Sequence, residues 1–366
     1  MTDTNLLILP GDGIGPELVD SVQSVLDAAG AIHRARLAFT TADIGLVSLA
    51  RHGTTITDEV VAQASAADGV ILGPVSHLDY PPKHDGGRNP SAELRLRLDL
   101  YANVRPCRSR PGLPAVSPDM DLVIVRENTE GFYADRNMWA GSGEFMPDPD
   151  SAFAIRKVTA RGSRRIATAA FDLARARRRR VTAVHKANVL HLSDGLFLRE
   201  VRQVAAEYPD VELRELIVDA AAARLVRSAS DFDVIVTTNM FGDILSDEAS
   251  ELSGSLGLGG SLNLGSAHAV AQAQHGSAPD IAGHNRANPV SLLLSTAMLL
   301  DWIGRRDRDD PLVQMATDID RAVETTLADP ATRTPDLGGT LGTREFTAAV
   351  AGALQRLAPQ PPPVAS

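Results

Sequence analysis

The strongest constraint on this chain is the repeated alternation of short apolar runs with stretches of helical spacing. Leu6 to Leu9 is an apolar run stopped by Pro10-Gly11, which has the length and punctuation of a buried strand. Pro16 then stands where a helix can begin. Leu18, Val19, Val22, Val25 and Leu26 follow at helical spacing, and Gly30 can close the helix. Further strands are expected at Gly69–Leu72, Leu122–Val125, Val181–Val184, Glu212–Val218 and Val234–Thr238, with helical patterns between most of them. This alternation predicts an α/β protein with a largely parallel sheet. The last third reads as helical: Pro289 to Ile303 is strongly apolar, and Leu312 to Leu327 and Glu345 to Leu357 are amphipathic. The closing PQPPPVAS cannot form regular helix or sheet, so a disordered tail is expected over 359–366.

At roughly 150 residues per domain, 366 residues make two domains or three. A chain of this size buries enough surface to need no disulfide or metal staple. Lys and Arg number 36 against 46 Asp and Glu, a net charge of −10, which argues against a protein that coats nucleic acid. Cys107 is the single cysteine, so no intrachain disulfide is possible and a reducing compartment is expected. Cys107 itself reads as a small buried apolar side chain. The opening MTDTNLLILPGDG has no basic region before its apolar run, unlike a secretory signal. Leu292 to Leu300 is interrupted by Ser295 and Thr296 and stopped by Asp301, far short of the roughly 20 apolar residues of a membrane span. The expectation is a soluble, cytoplasmic protein with no membrane or nucleic-acid partner. The basic run Arg175 to Arg180 reads as a solvated helix end, where cations complement the helix dipole.

Three groups of residues carry chemistry. GDGIGPE (Gly11 to Glu17) follows a strand and opens a helix, but Pro16 occupies the third glycine position of a Rossmann fingerprint, so the loop is not of that type. Arg95, Arg105 and Arg126 lie within about thirty residues, and guanidinium groups bind carboxylates bidentately, so a small di- or tricarboxylate would suit them. Asp243 and Asp247 are four apart, on one face of a helix, where like charges repel and a divalent cation would relieve the repulsion. Asp219, read as the end of the strand LIVD, is a third candidate ligand. All-oxygen donors suit a hard cation, and no His or Cys cluster competes for a soft one.

GDGIGPE, LDLYANVRP, VIVRENTEGFY, VHKANVL, TTNMFGDILSD, HGSAPDIAG with its following NP, and RTPDLGG run in order over nearly the whole chain. Together they closely resemble the β-decarboxylating dehydrogenase family, which includes isocitrate, homoisocitrate, 3-isopropylmalate and tartrate dehydrogenases. The resemblance implies an isocitrate/isopropylmalate dehydrogenase-like two-domain α/β fold that is not a Rossmann fold. It implies a large cofactor-binding domain over 1–104 and 255–358 and a small dimerisation domain over 105–254. It implies that Arg95, Arg105 and Arg126 hold the malate carboxylates, that Tyr133 protonates the enol and that Lys186 assists deprotonation of the substrate hydroxyl. By the same resemblance Asp219, Asp243 and Asp247 bind Mg²⁺ or Mn²⁺. Lys186 and Asp219 would come from the neighbouring subunit of a homodimer with shared active sites.

The same resemblance places Ile14, Ser76, Asn188, His275, Gly276, Ser277, Ala278, Asp280, Ile281 and Asn288 at the cofactor. Asp280-Ile281 fall where the family separates its cofactors. An aspartate there accepts hydrogen bonds from free ribose hydroxyls and repels a 2′-phosphate, so NAD is expected. Gln272 stands where the family usually has glutamate. The substrate's distinguishing group should lie against the residues before Arg95. Isopropylmalate enzymes carry a leucine pair where Ser91 and Ala92 stand, and homoisocitrate enzymes an arginine at the Ala92 position. Isocitrate enzymes carry serine and asparagine where Asn89 and Ser91 stand, so the two polar types are exchanged. A polar-substituted malate is expected, with isocitrate favoured and 3-isopropylmalate, homoisocitrate, tartrate or another malate derivative as alternatives. The segment His77 to Arg88 departs from all these patterns. A non-catalytic regulatory subunit of the same fold would lack catalytic residues, whereas Tyr133, Lys186, Asp219, Asp243 and Asp247 are all present.

Overall fold

The computed structural model describes residues 3–133, 138 and 141–357, and the tail expected at 359–366 lies outside them. Its elements begin β1 (Thr4–Leu9), α1 (Gly15–His33), β2 (Leu37–Thr41), α2 (Gly45–His52), α3 (Asp58–Ala66), β3 (Gly69–Leu72), α4 (Pro90–Arg97), β4 (Ala102–Arg108) and β5 (Asp121–Glu127). They continue with β6 (Glu144–Asp148), β7 (Ser151–Ala154), α5 (Ala160–Arg175), β8 (Arg180–His185), α6 (Ser193–Ala205), β9 (Glu212–Ile217), α7 (Val218–Ser228), β10 (Val234–Thr237) and α8 (Asn239–Ser253). The last are β11 (Leu262–Leu264), β12 (Ala269–Gln272), α9 (Val290–Asp307), α10 (Asp310–Ala328) and α11 (Thr343–Leu357). This is a mixed α/β fold with mostly parallel strand pairing, as the alternation of patterns predicts.

The chain forms two compact units. The first takes Met1–Ser91, Arg110–Leu113 and Val270–Ser366, as far as these are described; the second takes Ala92–Ser109 and Pro114–Ala269. The breaks thus fall at Ser91/Ala92 and Ala269/Val270, where the family pattern put them at 104/105 and 254/255. Strand pairing accounts for the difference: β4 bonds to β5 along its whole length and β11 bonds to β4, so both strands stay with the second unit.

In the first unit the strand order is β2-β1-β3-β12, all parallel. Helix α1 packs on α9, α10 and α11. Its buried stripe of Leu18, Val22, Val25 and Leu26 is the helical spacing seen in the sequence. In the second unit the order is β11-β4-β5-β10-β8-β9, parallel except for the β11–β4 and β4–β5 pairs. Both faces of β5, β8 and β10 are covered. Val123, Val125, Val234 and Val236 pack with Phe171 of α5 and Phe197 and Val201 of α6. The alternate residues Leu122, Ile124 and Ile235 pack with Leu225 of α7 and Leu245 and Ala249 of α8. Two-sided burial explains why these strands read as continuous apolar runs. Cys107 belongs to the second cluster, and burial pushes its thiol up to about 11, so it is the inert apolar side chain expected. Among the described residues no helix is long and apolar enough to cross a membrane.

The basic run is exposed at Arg175, Arg178 and Arg179, as a solvated helix end should be, but it is also ion-paired within the chain. Arg175 donates to Asp210, Arg177 to both Asp121 and Asp233, Arg178 to the Phe232 carbonyl, and Arg180 to Glu212. Asp233 is fully buried and also accepts the Arg180 backbone N–H at 3.2 Å. The run ties α5 to the strands that follow it. Asp233→Ala leaves the Arg177 guanidinium without its buried partner and is expected to cost about 3 kcal/mol in denaturant unfolding. Glu212→Ala, which breaks a more exposed pair, should cost about 1 kcal/mol or less.

Candidate active site

Two arginines and two carboxylates meet in the second unit. The β4–β5 register sets Asn103 opposite Arg126, so Arg105, two residues along, shares the face with Arg126 as a diagonal neighbour. Helix α8 packs on both strands and brings Asp243 and Asp247 to that face. The close approach requires Gly242, because a Cβ there would stand 2.6 Å from Arg126 Cγ.

Arg126 is 2% exposed. Its Nε donates to the Asn239 carbonyl at 2.9 Å and to Asn239 Oδ1 at 3.0 Å. Its Nη2 donates to Asn239 Oδ1 at 2.6 Å and to the Tyr133 hydroxyl at 2.7 Å, and Nη1 pairs with Asp243. The Tyr133 hydroxyl in turn donates to Asp243 Oδ2 at 3.2 Å. Arg105 donates to Asn103 Oδ1 at 2.6 Å, Ser246 Oγ at 2.7 Å and Asp247 Oδ1 at 3.1 Å, and lies 3.5 Å from Asp243. Burial lowers the pKa of Arg105, and the neighbouring Arg126 charge adds to this. Burial raises the Asp247 carboxyl; Arg105 opposes that and Asp243 reinforces it. Asp243 and Asp247 lie on one helix face, as their spacing predicts, and each is matched by an arginine.

Lys186 lies just beyond β8. The β8–β9 register sets His185 beside Ile217, which carries Lys186 to the start of α7. There its ammonium pairs with Asp219 and holds that carboxyl below the usual range. Asp219 was expected to end a strand. The strand stops at Ile217, and Asp219 lies in the first turn of α7, where a negative charge suits the helix dipole. Asn188 is exposed in the turn after Lys186. Among the described residues no three acidic, His or Cys side chains gather closely enough to hold a metal ion within one chain. Asp219 goes with Lys186, while Asp243 and Asp247 go with the arginines. Arg95 is half-buried in the last turn of α4.

Apart from Asn188, the cofactor candidates lie in the first unit. The GDGIGPE loop lies against the 275–283 loop: the Ile14 N–H donates to the Ser277 carbonyl at 2.8 Å. A Cβ on Gly13, which has φ +56°, would stand 2.0 Å from that carbonyl oxygen, so only glycine fits there. Ser76 Oγ is 2.7 Å from Ser277 Oγ, and the Gly283 N–H donates to Glu17 Oε1. Ala278 adopts φ +37°, unusual for a residue with a side chain, and sets the turn that presents Asp280 and Ile281. Gly276 and Asp280 are exposed. His275 Nδ1 is 3.0 Å from the Gly276 carbonyl, which can only accept, so Nδ1 carries the proton. Burial lowers the pKa of this imidazole and favours its neutral form. Its Nε2 is then an acceptor, and it is buried with no hydrogen-bond partner. An N–H donor from a bound adenine would fill that vacant bond, so the loop fits a dinucleotide. The Asn288 side chain donates to Asp336 and accepts from the Val290 N–H, which fixes it at the start of α9. Ser91 donates to Gln272 Oε1 at 2.8 Å, and Asn89 is half-buried just before α4.

Sequence reasoning did not single out Asn239 or Gly242. Their roles come from the approach of α8 to β5, and no local pattern announces it.

The family model described as isocitrate/isopropylmalate dehydrogenase matches residues 5–350. A 3-isopropylmalate dehydrogenase of Methanothermobacter thermautotrophicus is 40% identical over 97% of this chain and 100% of its own length. An isocitrate/homoisocitrate dehydrogenase of Thermus thermophilus is 42% identical over 96% of this chain and 99% of its own. The structure of an isocitrate dehydrogenase from Methylococcus capsulatus superposes with a TM-score of 0.85 at 40% identity, covering 96% of this chain and 99% of that one. With a match over nearly its whole length, the chain belongs to the isocitrate/isopropylmalate dehydrogenase family and is an oxidoreductase.

Proposed function

We propose that the protein catalyses NAD-linked, divalent-metal-dependent oxidative decarboxylation of a 3-substituted malate, with isocitrate or a similarly polar malate as substrate. The carrying observation is the convergence of buried Arg105 and Arg126 with Tyr133 and the more exposed Asp243 and Asp247, which brings cationic forks, a phenol and oxygen ligands together. Arg95, Arg105 and Arg126 bind the malate carboxylates. Lys186, as the neutral amine rather than the ammonium that pairs with Asp219, accepts the proton of the 2-hydroxyl while a hydride leaves that carbon and the ketone forms. The bond to the β-carboxylate then breaks, CO₂ leaves, and the Tyr133 hydroxyl delivers a proton to the enol carbon. Asp219, Asp243 and Asp247 would hold Mg²⁺ or Mn²⁺, which supplies Lewis-acid polarisation of the hydroxyl and the adjacent carboxylate. NAD supplies the hydride acceptor. Ile14, Ser76, Gly276, Ser277, Ala278 and Ile281 would line its place, with Asn188 and Asn288 completing the set. His275 Nε2 would accept from adenine, and Asp280 would accept from the ribose hydroxyls and repel a 2′-phosphate.

The division of the residues into two groups supports a homodimer with shared sites. Lys186 and Asp219 pair with each other, and the arginines take the other carboxylates. Helices α7 and α8 pack together and leave Val226 and Ile244 exposed, which suits a face covered by a second subunit. Ser91 and Ala92 give an isopropyl group little apolar area to bury against, so a polar substituent is favoured.

An NADH-formation screen with Mn²⁺ over isocitrate, homoisocitrate, isopropylmalate, tartrate, methylmalates and phosphonate-bearing malates tests this reading. We expect one malate to turn over, chelation to abolish the rate, and NAD⁺ to exceed NADP⁺ by about 100-fold in kcat/KM, as like-charge repulsion of a few kcal/mol dictates. No turnover with any malate, or a preference for NADP⁺, overturns it.

A further inference from the structure

We infer that Arg156 is a positioning residue for the reaction: one guanidinium ties the Lys186 turn, the Phe132–Tyr133 segment and the start of α8 into a fixed arrangement. This rests on the roles proposed above for Lys186, Tyr133 and Asp243. Arg156 lies between β7 and α5, with a side chain 8% exposed. Its Nη1 pairs with Asp194, which is fully buried, and also donates to Ser193 Oγ at 3.1 Å. The other Asp194 oxygen accepts the Lys186 backbone N–H at 2.5 Å, so the pair holds the lysine's own main chain. Its Nη2 donates to Thr238 Oγ1 at 2.8 Å. Thr238 occupies the N-cap position of α8, yet its hydroxyl caps no helix N–H and serves Arg156 instead. The guanidinium carbon lies 5.7 Å from the Phe132 ring centre and 5.3 Å from that of Phe241. Phe132 precedes Tyr133, and Phe241 lies two residues before Asp243.

A buried ion pair is weak ground for stability, since desolvation offsets most of its attraction. What this one specifies is geometry. A planar fork with diverging N–H groups and two aromatic contacts can hold three segments at once, and a lysine cannot. The Arg164–Glu200 pair, between α5 and α6 in the same unit, gives a comparison in which a buried carboxylate is paired but no site segment is touched.

The test compares Arg156→Lys and Arg156→Gln with Arg164→Gln, by steady-state kinetics and by amide hydrogen exchange. Arg156→Lys should fold normally but lower kcat by about 100-fold, the cost of small misplacement at a reacting centre, with the KM for NAD little changed. Free guanidinium, below denaturing concentration, should restore part of the rate to Arg156→Gln and none to Arg164→Gln. In Arg156→Gln the segments 130–133, 185–195 and 238–243 should lose exchange protection together, while Arg164→Gln leaves all three unchanged. Full activity in Arg156→Lys, a rate loss that only follows the folded fraction, or loss of protection in one segment alone overturns the inference. Should Arg156→Gln not fold, Thr238→Val and Phe241→Leu each remove one arm and should each lower kcat without altering the KM for NAD. If the wild-type protein turns over no malate, the proposed function fails, and the exchange measurement alone decides whether Arg156 ties the three segments.

Discussion

Lys186→Met is expected to lower kcat by about 10³-fold, the range for loss of a positioned proton acceptor, and to leave the fold intact. The second half of that expectation follows from exposure. The Lys186 side chain is 29% exposed and its partner Asp219 is 59% exposed, so the pair contributes little to stability. Its main chain, by contrast, is anchored through Asp194, and methionine leaves that anchor in place. The substitution therefore removes one titratable group from a preserved backbone. Turnover within tenfold of wild type, in protein with an unchanged unfolding midpoint, would exclude Lys186 as the group that receives the hydroxyl proton.

Arg126→Lys should lower kcat/KM by about 10³-fold, because two charge-assisted hydrogen bonds to a substrate carboxylate are lost at roughly 2 kcal/mol each. A lysine has a single ammonium and cannot reproduce the fork that reaches Asn239, Tyr133 and Asp243 at once. Tyr133 loses its donor as well, so its hydroxyl is no longer directed toward Asp243. Unlike Lys186→Met, this change leaves buried acceptors on Asn239 unsatisfied, and some loss of stability should accompany it. Rates must therefore be taken per folded molecule. The two inactive proteins also report on each other. If Lys186 serves the neighbouring subunit, refolding them together should recover about a quarter of the wild-type rate, since half the dimers are mixed and each of those has one complete site. No recovery would place Lys186 and Arg126 in the same chain's site.

Most of the strands that the sequence announced are buried runs. β5, β8 and β10 are mostly apolar on successive residues because helices cover each side, β1 and β3 are likewise buried, and β9 is the exception, legible although largely exposed. β4 escaped that pattern because Asn103, Arg105 and Pro106 interrupt it. It forms a strand through pairing with β5, and its polar residues are there because one of them reaches the arginine–carboxylate group. β2 is half-exposed, and β11 and β12 are too short for periodicity to register. The candidate residues were legible wherever chemistry and spacing coincide, as with the Asp243–Asp247 pair. Asn239, Gly242 and Arg156 were not, because each acts on a residue far along the chain. The ion pairing of the basic run was hidden for the same reason: Arg177 and Asp233 are fifty-six residues apart, and only folding makes them partners.

The composition of the first unit from the two ends of the chain has a consequence for synthesis. The apolar stripe of α1, with Leu18, Val22 and Leu26, is matched by Phe346, Val350 and Leu354 of α11, and these helices pack together. Roughly 300 residues separate them, so at about 5–20 residues per second the ribosome makes α11 some 15 to 60 seconds after α1. The other helices that pack on α1, namely α9 and α10, are made only shortly before α11, so for most of that interval α1 lacks its helical cover. The second unit, nearly continuous in the middle of the chain, has all its strands before α9 is made. Folding during synthesis is therefore expected to run from the middle outward, with α1 open to aggregation and chaperone capture until its partner helices arrive.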